Sequence, residues 1–502
     1  MTELAAPAAL AEPPSAPAAI DRRGMALYGV LGFAAGHPFY MFSTVLALRL
    51  QAHGVALAVI GFFAWVQLLP TLKFVWAPLL DRYAIPGFSR FYGQRRGWMM
   101  LAQLGIFTSL VAMALTAGDA RLGITALFAV LLAFWTTTLE VAADAWRIEL
   151  YPSQDEQGPI VAANLWGYRG AMVAAGSGAL LLADWGGWTA AYLAIAAAAF
   201  LPFPILAAMR SNTPGARDRL PALVTGVIAS IAILGATAAA TAAIGWVILS
   251  LAAGAGIDAG TNVTPWVLAC CMLPFLLMAA ALPQIRRAPP HARIRRSALI
   301  GPYVDFFWRY GFGALTLMAF VSLYRMGDVL ALNLSKPMIR DLGYSLSQIG
   351  RADSVVALAA SALGVGLAGW MVTRHAMTWM LAIGAVVAAI GNFGFVWLAN
   401  QPVSEGLLYI ATGADQFGNG FAGAVFVVYL SLLVNPRFPG AQYAFLTGFA
   451  FMLPRLLSGA GGSIVTRIGY DNFFLLSGAL SLFAVVFLPL LAQIRPRSEE
   501  NA

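Results

Sequence analysis

Two stretches decide the fold: Gly54-Val55-Ala56-Leu57-Ala58-Val59-Ile60-Gly61 and Gly343-Tyr344-Ser345-Leu346-Ser347-Gln348-Ile349-Gly350. Both read G-x-x-L-x-x-I-G, and each leads into an apolar run. A second echo sets Gly187-Trp188…Tyr192-Leu193 against Gly469-Tyr470…Phe474-Leu475. The partners lie 289 and 282 residues apart, the same within small insertions. Glycine and leucine are common in this chain, so one echo alone is weak. Two in register point to a duplicated half.

The repeated unit is a set of apolar helices. Of 502 residues, 60% are hydrophobic and 10% are charged, whereas a soluble domain carries roughly 25% charged residues. An ordinary soluble enzyme is excluded, and so is intrinsic disorder, which needs low hydrophobicity. A spanning helix takes about 20 residues, and the apolar runs number about fourteen. Six fall within 24–210 and six within 298–495. The linker 211–297 holds two more, at about 222–251 and 264–283. Residues 1–23 read as a disordered cytoplasmic tail and 496–502 as a short one. The expected fold is an all-α polytopic membrane protein of the major facilitator type, with two six-helix halves, two inserted central helices and fourteen spans. In that architecture the substrate meets the protein near the midplane, between the halves.

The net charge of +8 does not indicate nucleic acid, because the basic residues are spread over short loops of one parity. These loops hold Arg22 and Arg23; Arg82, Arg90, Arg95 and Arg96; Arg210, Arg217 and Arg219; and Arg286, Arg287, Arg293, Arg295 and Arg296. The loops of opposite parity are poor in base, apart from Lys336 and Arg340. The basic parity faces the cytoplasm, which puts both termini there. Cys270 and Cys271 are adjacent within an apolar run, so they build no disulfide framework. No Gly-x4-Gly-Lys-Ser/Thr loop is present, which argues against direct pumping by ATP.

Charges at span depth are expensive and mark function or a structural pair. Glu140 and Asp144 lie four apart near the end of the fourth span, on one helix face. Two carboxylates so close repel, and one of them is suited to take and release a proton. Glu140 lies roughly 15 Å inside, and Arg169 in the fifth span is at about the same depth. The two are therefore candidate partners. Asp144, Arg147 and Glu149 are shallower. With Asp81, Arg82, Arg95 and Arg96 they read as a cytoplasmic gate of salt bridges. Lys73 lies about two turns inside the second span, where it either snorkels or offers a cation to a cavity. In the second half, Asp415 and Arg455 are several turns deep. Arg325, Asp328, Arg351 and Asp353 read as one periplasmic-side cluster, a gate or a first contact for an anion. Trp135 and Trp166 lie near the charged faces and are candidates to stack on sugar rings; interface anchoring is the blander reading. His37, in Gly36-His37-Pro38, reads as a packed polar residue rather than a relay, and Pro38 predicts a kink.

Several of these stretches resemble the AmpG muropeptide permeases. They include Gly32-Phe33-Ala34-Ala35-Gly36-His37-Pro38, Leu72-Lys73-Phe74-Val75-Trp76-Ala77-Pro78-Leu79-Leu80-Asp81-Arg82 and Arg95-Arg96-Gly97-Trp98. Asp144-Ala145-Trp146-Arg147, Gly167-Tyr168-Arg169, Leu323-Tyr324-Arg325-Met326-Gly327-Asp328 and Ala441-Gln442-Tyr443-Ala444-Phe445-Leu446 complete the set. The resemblance runs over about 25–495 and includes the two extra central spans. It departs at Leu139-Glu140, where the family usually has Gln-Asp, at His37, where Leu is usual, and at Asp415-Gln416-Phe417, where a Glu-Asn-type stretch is usual. The resemblance implies a proton-coupled importer of GlcNAc-1,6-anhydroMurNAc, with or without its peptide, in a bacterial inner membrane. It implies no cofactor, with the proton gradient as energy source. The expected partners are the sugar–peptide substrate, protons and the lipid bilayer, for a monomer. On this reading Glu140, Asp144 and Asp415 are the proton-coupling carboxylates. Lys73, Arg169, Arg325, Asp328, Arg455, Trp135 and Trp166 meet substrate, and Asp81, Arg82, Arg147, Glu149, Arg351 and Asp353 gate. The alternative is a carrier of the same fold for another anionic solute, of siderophore or acyl-CoA type.

Overall fold

The computed structural model describes residues 21–53, 55, 64–116, 122–209, 224–229, 231–232, 250, 254, 280–289, 292–459 and 461–497. All regular structure among them is helical. Nine helices among the described residues are long and apolar enough to cross a membrane. The spans expected at 222–251 and 264–283 lie mostly outside the described residues, as do the N-terminal tail and most of Gly54–Gly61.

The chain divides into two compact units, one of residues 16–224 with 434–444, the other built on 225–433 and 445–502. The boundary is not a single cut in sequence, because the short segment 434–444 groups with the first unit.

In the first unit, α1 (Arg22–Phe42) and α2 (Thr44–Ala52) form the first span. It is followed by a 3-10 segment (Ala64–Val75), α3 (Gln94–Leu115), α4 (Leu122–Leu150), α5 (Gln154–Val173) and α6 (Ala179–Ala199). Helix α1 starts where Asp21 accepts the backbone N–H groups of Arg23 and Gly24 at 3.1 and 3.0 Å. These donors, with the Tyr151 hydroxyl, hold the Asp21 carboxyl below the usual carboxylate range. Its contribution is therefore present above the unfolded pKa of about 4 and fades as pH falls through the lower folded value. Asp21→Ala is expected to lower stability by about 1 kcal/mol at neutral pH. The difference from the parent should shrink on acidification, measured as thermal midpoints; a gap that widens instead contradicts the cap. Helix α5 starts with a capping box of Ser153 and Glu156, which satisfies its first N–H groups reciprocally.

Helix α1 continues through Pro38. The helix runs on to Phe42, and the break falls at Ser43, whose hydroxyl donates to Phe39 O at 2.6 Å. His37 is fully buried, its ring edge-on to Phe33 at 4.2 Å, in keeping with a packed polar residue. Helices α1 and α5 approach closely because glycine faces backbone. A Cβ on Gly167 would lie 1.9 Å from Gly29 O. Small residues permit such contacts where no hydrophobic drive separates helix from lipid.

The second unit contains α7 (Gly301–Tyr310), α8 (Gly313–Tyr324), α9 (Met326–Asp341), α10 (Ala357–Val372), α11 (Met377–Ala399), α12 (Glu405–Leu433), α13 (Pro439–Gly459, whose first residues join the other unit) and α14 (Gly461–Phe483). Helices α8 and α9 break at Arg325. Ser43 and Arg325 are 282 residues apart, the same interval as Gly187 and Gly469. Both glycines hold φ near +80° (80° and 79°) with ψ of 167° and 165° inside otherwise helical runs. That conformation is open to glycine and strained for other residues. The internal echo in sequence thus corresponds to the same local backbone in each unit.

Candidate functional site

The first unit gathers charged residues around two buried arginines. Arg95 lies between two acids, with Nη1 2.8 Å from Asp81 Oδ1 and Nη2 2.7 Å from Glu149 Oε1. Asp81 in turn accepts the backbone N–H groups of Gly440 and Ala441 at 3.1 and 2.7 Å. Those are the second and third residues of α13, so the carboxylate sits at a helix N-terminus, where unsatisfied N–H groups and the dipole favour an anion. Gly440 is required by that approach, since a Cβ there would lie 2.7 Å from Asp81 Oδ1. A second pair joins Arg147 Nη2 to Asp144 Oδ1 at 3.0 Å. Arg147 is 1% exposed. It also donates to Gln157 Oε1 and holds its guanidinium 5.5 Å from the centre of the Tyr443 ring.

Asp81, Arg95 and Glu149 thus form one set and Asp144 with Arg147 a second. Arg82 is exposed, outside both sets. Arg96 turns instead to Met209 O and the Trp146 ring. The adjacent side chains diverge because Arg95 and Arg96 lie 100° apart around α3. Glu140, one turn before Asp144, and Arg169 on α5 are both half-buried. Lys73 is 8% exposed, in the 3-10 segment, with no ion-pair partner among the described residues. Trp135 packs against Gly105, where a Cβ would lie 2.3 Å from its ring, which favours helix packing over sugar stacking. Trp166 is 43% exposed and borders an apolar cleft of about 510 Å³ with Met25, Gly29, Phe33, Gly167 and Leu201.

The second unit holds a different arrangement. Arg325 Nη1 meets Asp328 Oδ2 at 2.7 Å, with both side chains buried. Its Nη2 lies 3.3 Å from Asn419 Oδ1 on α12. Its Nε is buried with no hydrogen-bond partner among the described residues. The guanidinium groups of Arg325 and Arg455 lie 5.9 and 5.6 Å from the centre of the Phe451 ring. Asp415 Oδ2 accepts Gln416 Nε2 at 2.9 Å, and Gly391 of α11 presses against its backbone.

The expected four-residue cluster of Arg325, Asp328, Arg351 and Asp353 is not formed. Arg351 pairs with Glu405 at 2.7 Å, and Asp353 pairs with Lys336. Arg351, Asp353 and Lys336 are exposed and Glu405 half-buried, while Arg325 and Asp328 are buried. The break at Arg325 puts Asp328 in the first turn of α9, so the charge is satisfied locally, three residues on. Sequence reading also missed Gln157, Asn419, Phe451 and the N-terminus of α13. The first three carry no charge, and the last acts through backbone. Among the described residues no group of three His, Cys, Asp or Glu side chains is placed to hold a metal ion.

Comparison with known proteins agrees with this architecture. The sequence profile of the Major Facilitator Superfamily matches residues 315–502. The chain is 25% identical over 464 residues to the anhydromuropeptide permease of Escherichia coli K12, covering 91% of this chain and 78% of that protein. It is 26% identical over 461 residues to the putative transporter AmpG 4 of Rickettsia conorii, covering 91% and 94%. Among solved structures, the proton:xylose symporter XylE superposes with a TM-score of 0.59 at 14% identity, covering 94% of this chain and 95% of that one. The human organic anion transporter MFSD10 gives 0.55 at 15% identity, covering 92% and 98%. These matches agree with the resemblance carried by the motifs, and the relatives are permeases and transporters rather than enzymes. The chain is a polytopic membrane transporter with the major facilitator fold, similar over nine-tenths of its length to the AmpG permeases.

Proposed function

We propose that the protein imports anhydro-muropeptides, GlcNAc-1,6-anhydroMurNAc with or without its peptide, from periplasm to cytoplasm, driven by the proton gradient and without a cofactor. Both termini lie in the cytoplasm on this reading, and the protein works as a monomer. The observation that carries it is the buried Arg325. Asp328 and Asn419 hold two of its nitrogens, and Nε is left for an acceptor. A lactyl or peptide carboxylate is such an acceptor, and arginine binds carboxylates through paired N–H groups. Arg455, across Phe451, offers a second positive charge beside the same ring. The similarity to the E. coli permease over 91% of the chain supports the choice of substrate. Glu140 is the leading proton carrier, Asp415 the second, and Asp144, which pairs with Arg147, the third.

The deciding experiment is uptake of labelled GlcNAc-anhydroMurNAc into proteoliposomes, with and without an imposed proton gradient. Gradient-driven accumulation supports both substrate and coupling. No uptake by folded protein transfers the proposal to another anionic solute of siderophore or acyl-CoA type. Arg169 is proposed to meet the peptide carboxylate. Arg169→Ala should weaken binding of the peptide-bearing ligand by about tenfold, the scale of one charge-assisted hydrogen bond, and spare a neutral sugar. Equal losses for both ligands would assign Arg169 a structural role.

A further inference from the structure

The second unit carries a concentration of arginine that the transport reading does not use. Residues 284–312 contain six arginines and a single acid, Asp305, and the C-terminal stretch adds Arg495 and Arg497, followed in sequence by Glu499 and Glu500. The fold brings these separate stretches together. The backbone N–H of Arg497 donates to Arg309 O at 2.8 Å, which pins the C-terminal segment across the end of α7. Arg295 and Arg497 hold their guanidinium carbons 4.1 and 5.8 Å from the centre of the Trp308 ring. Arg286 packs on Gly311, where a Cβ would lie 2.9 Å from its Nη1. Arg309 Nη1 is buried with no hydrogen-bond partner among the described residues. Ile294, Ile300 and Phe312 lie along the same stretch and are 46%, 48% and 58% exposed.

We propose that this arginine cluster binds the phosphate headgroup of an anionic phospholipid in the cytoplasmic leaflet. The side of the membrane rests on the topology proposed above. Several guanidinium groups with few acids among them suit a phosphodiester, which accepts paired N–H bonds. Basic pockets beside spanning helices take anionic headgroups in this way. The exposed Ile294, Ile300 and Phe312 would reach the acyl region, as the apolar face of an interfacial helix does. Topology alone needs positive charge in this loop and nothing more. It does not require that residue 497 be tied to residue 309, nor that two arginines from opposite ends of the unit meet one tryptophan.

The test is native mass spectrometry of the full-length protein in detergent with added phosphatidylglycerol, or phosphatidylethanolamine of the same chains. Two triple variants are compared. R286Q/R295Q/R497Q removes the cluster, and R22Q/R23Q/R90Q removes the same charge from exposed positions elsewhere. The cluster variant is expected to lose retained phosphatidylglycerol by about tenfold or more, while the control keeps it. Equal loss in both variants, or equal retention of the two lipids by the parent, overturns the site. Displacement of the lipid by millimolar inorganic phosphate reassigns it to a free phosphate. Where the triple variant does not fold, R497Q on the exposed tail replaces it, and unchanged retention there also overturns the proposal. The readout is lipid retention, so a failed transport assay leaves this result intact.

Discussion

Arg147→Met is expected to destabilise the protein by about 3 kcal/mol, at the lower end of what breaking a buried ion pair does. Methionine fills the space of the aliphatic stem but leaves Asp144 without its cation and Gln157 without its donor. The Asp144 side chain is 24% exposed, so water recovers part of the loss, which sets the estimate below the 5 kcal/mol limit of a fully sealed pair. Arg147→Lys keeps the charge but lacks the planar fork that serves Asp144 and Gln157 together, and should fall between the two. The measurement is thermal unfolding of purified protein in detergent, run with the double variant Asp144→Asn/Arg147→Met. Removing both charges should recover part of the loss, because no isolated carboxylate remains. A single variant as stable as the parent would mean that Arg147 is not held as described. A double variant that loses the sum of both single losses would show that the two residues do not act as a pair.

What sequence could reveal of this molecule followed the physics of each signal. Apolar runs of about 20 residues are hard to misread, so the helical membrane architecture was plain. The matching backbone at Gly187 and Gly469 was readable in sequence, because a positive φ is a demand on residue type as well as on backbone. The break at Ser43 left no such mark. Pro38 was the visible breaker, yet the helix passes through it. In the first unit the pairing of Asp144 with Arg147 was legible because the two are three residues apart on one helix, whereas the pairing of Arg95 with Asp81 and Glu149 joins residues distant in sequence. The backbone N–H groups of Gly440 and Ala441 were not legible, because every residue but proline has that donor. In the second unit, similar height along two helices suggested that Arg325 and Arg351 were neighbours. Height says nothing about azimuth, and the two arginines found different acids, one buried and one half-buried.

Glu140→Gln is expected to abolish proton-driven accumulation and preserve exchange of substrate across the membrane. Glutamine matches the shape and hydrogen-bonding reach of the carboxyl but cannot carry a proton. The variant should therefore bind and carry substrate without coupling. Glu140 is half-buried on α4, one turn from Asp144, and Asp144 already has Arg147 at 3.0 Å. Glu140 lies one turn before the Asp144–Arg147 pair along α4, farther from the end of the span. A gradient of two pH units is worth about 2.7 kcal/mol per proton. It supports about 100-fold accumulation at one proton per substrate, so the predicted loss in Glu140→Gln is of that order. Glu140→Asp keeps the proton and shortens the reach by one methylene, and should keep coupling. The assay is uptake into proteoliposomes with and without the gradient, beside counterflow from preloaded vesicles. Full accumulation in Glu140→Gln with its loss in Asp415→Asn would move the proton to α12. Loss of counterflow together with accumulation would instead make Glu140 part of substrate binding, since a group needed only for the proton is dispensable when substrate exchanges for substrate.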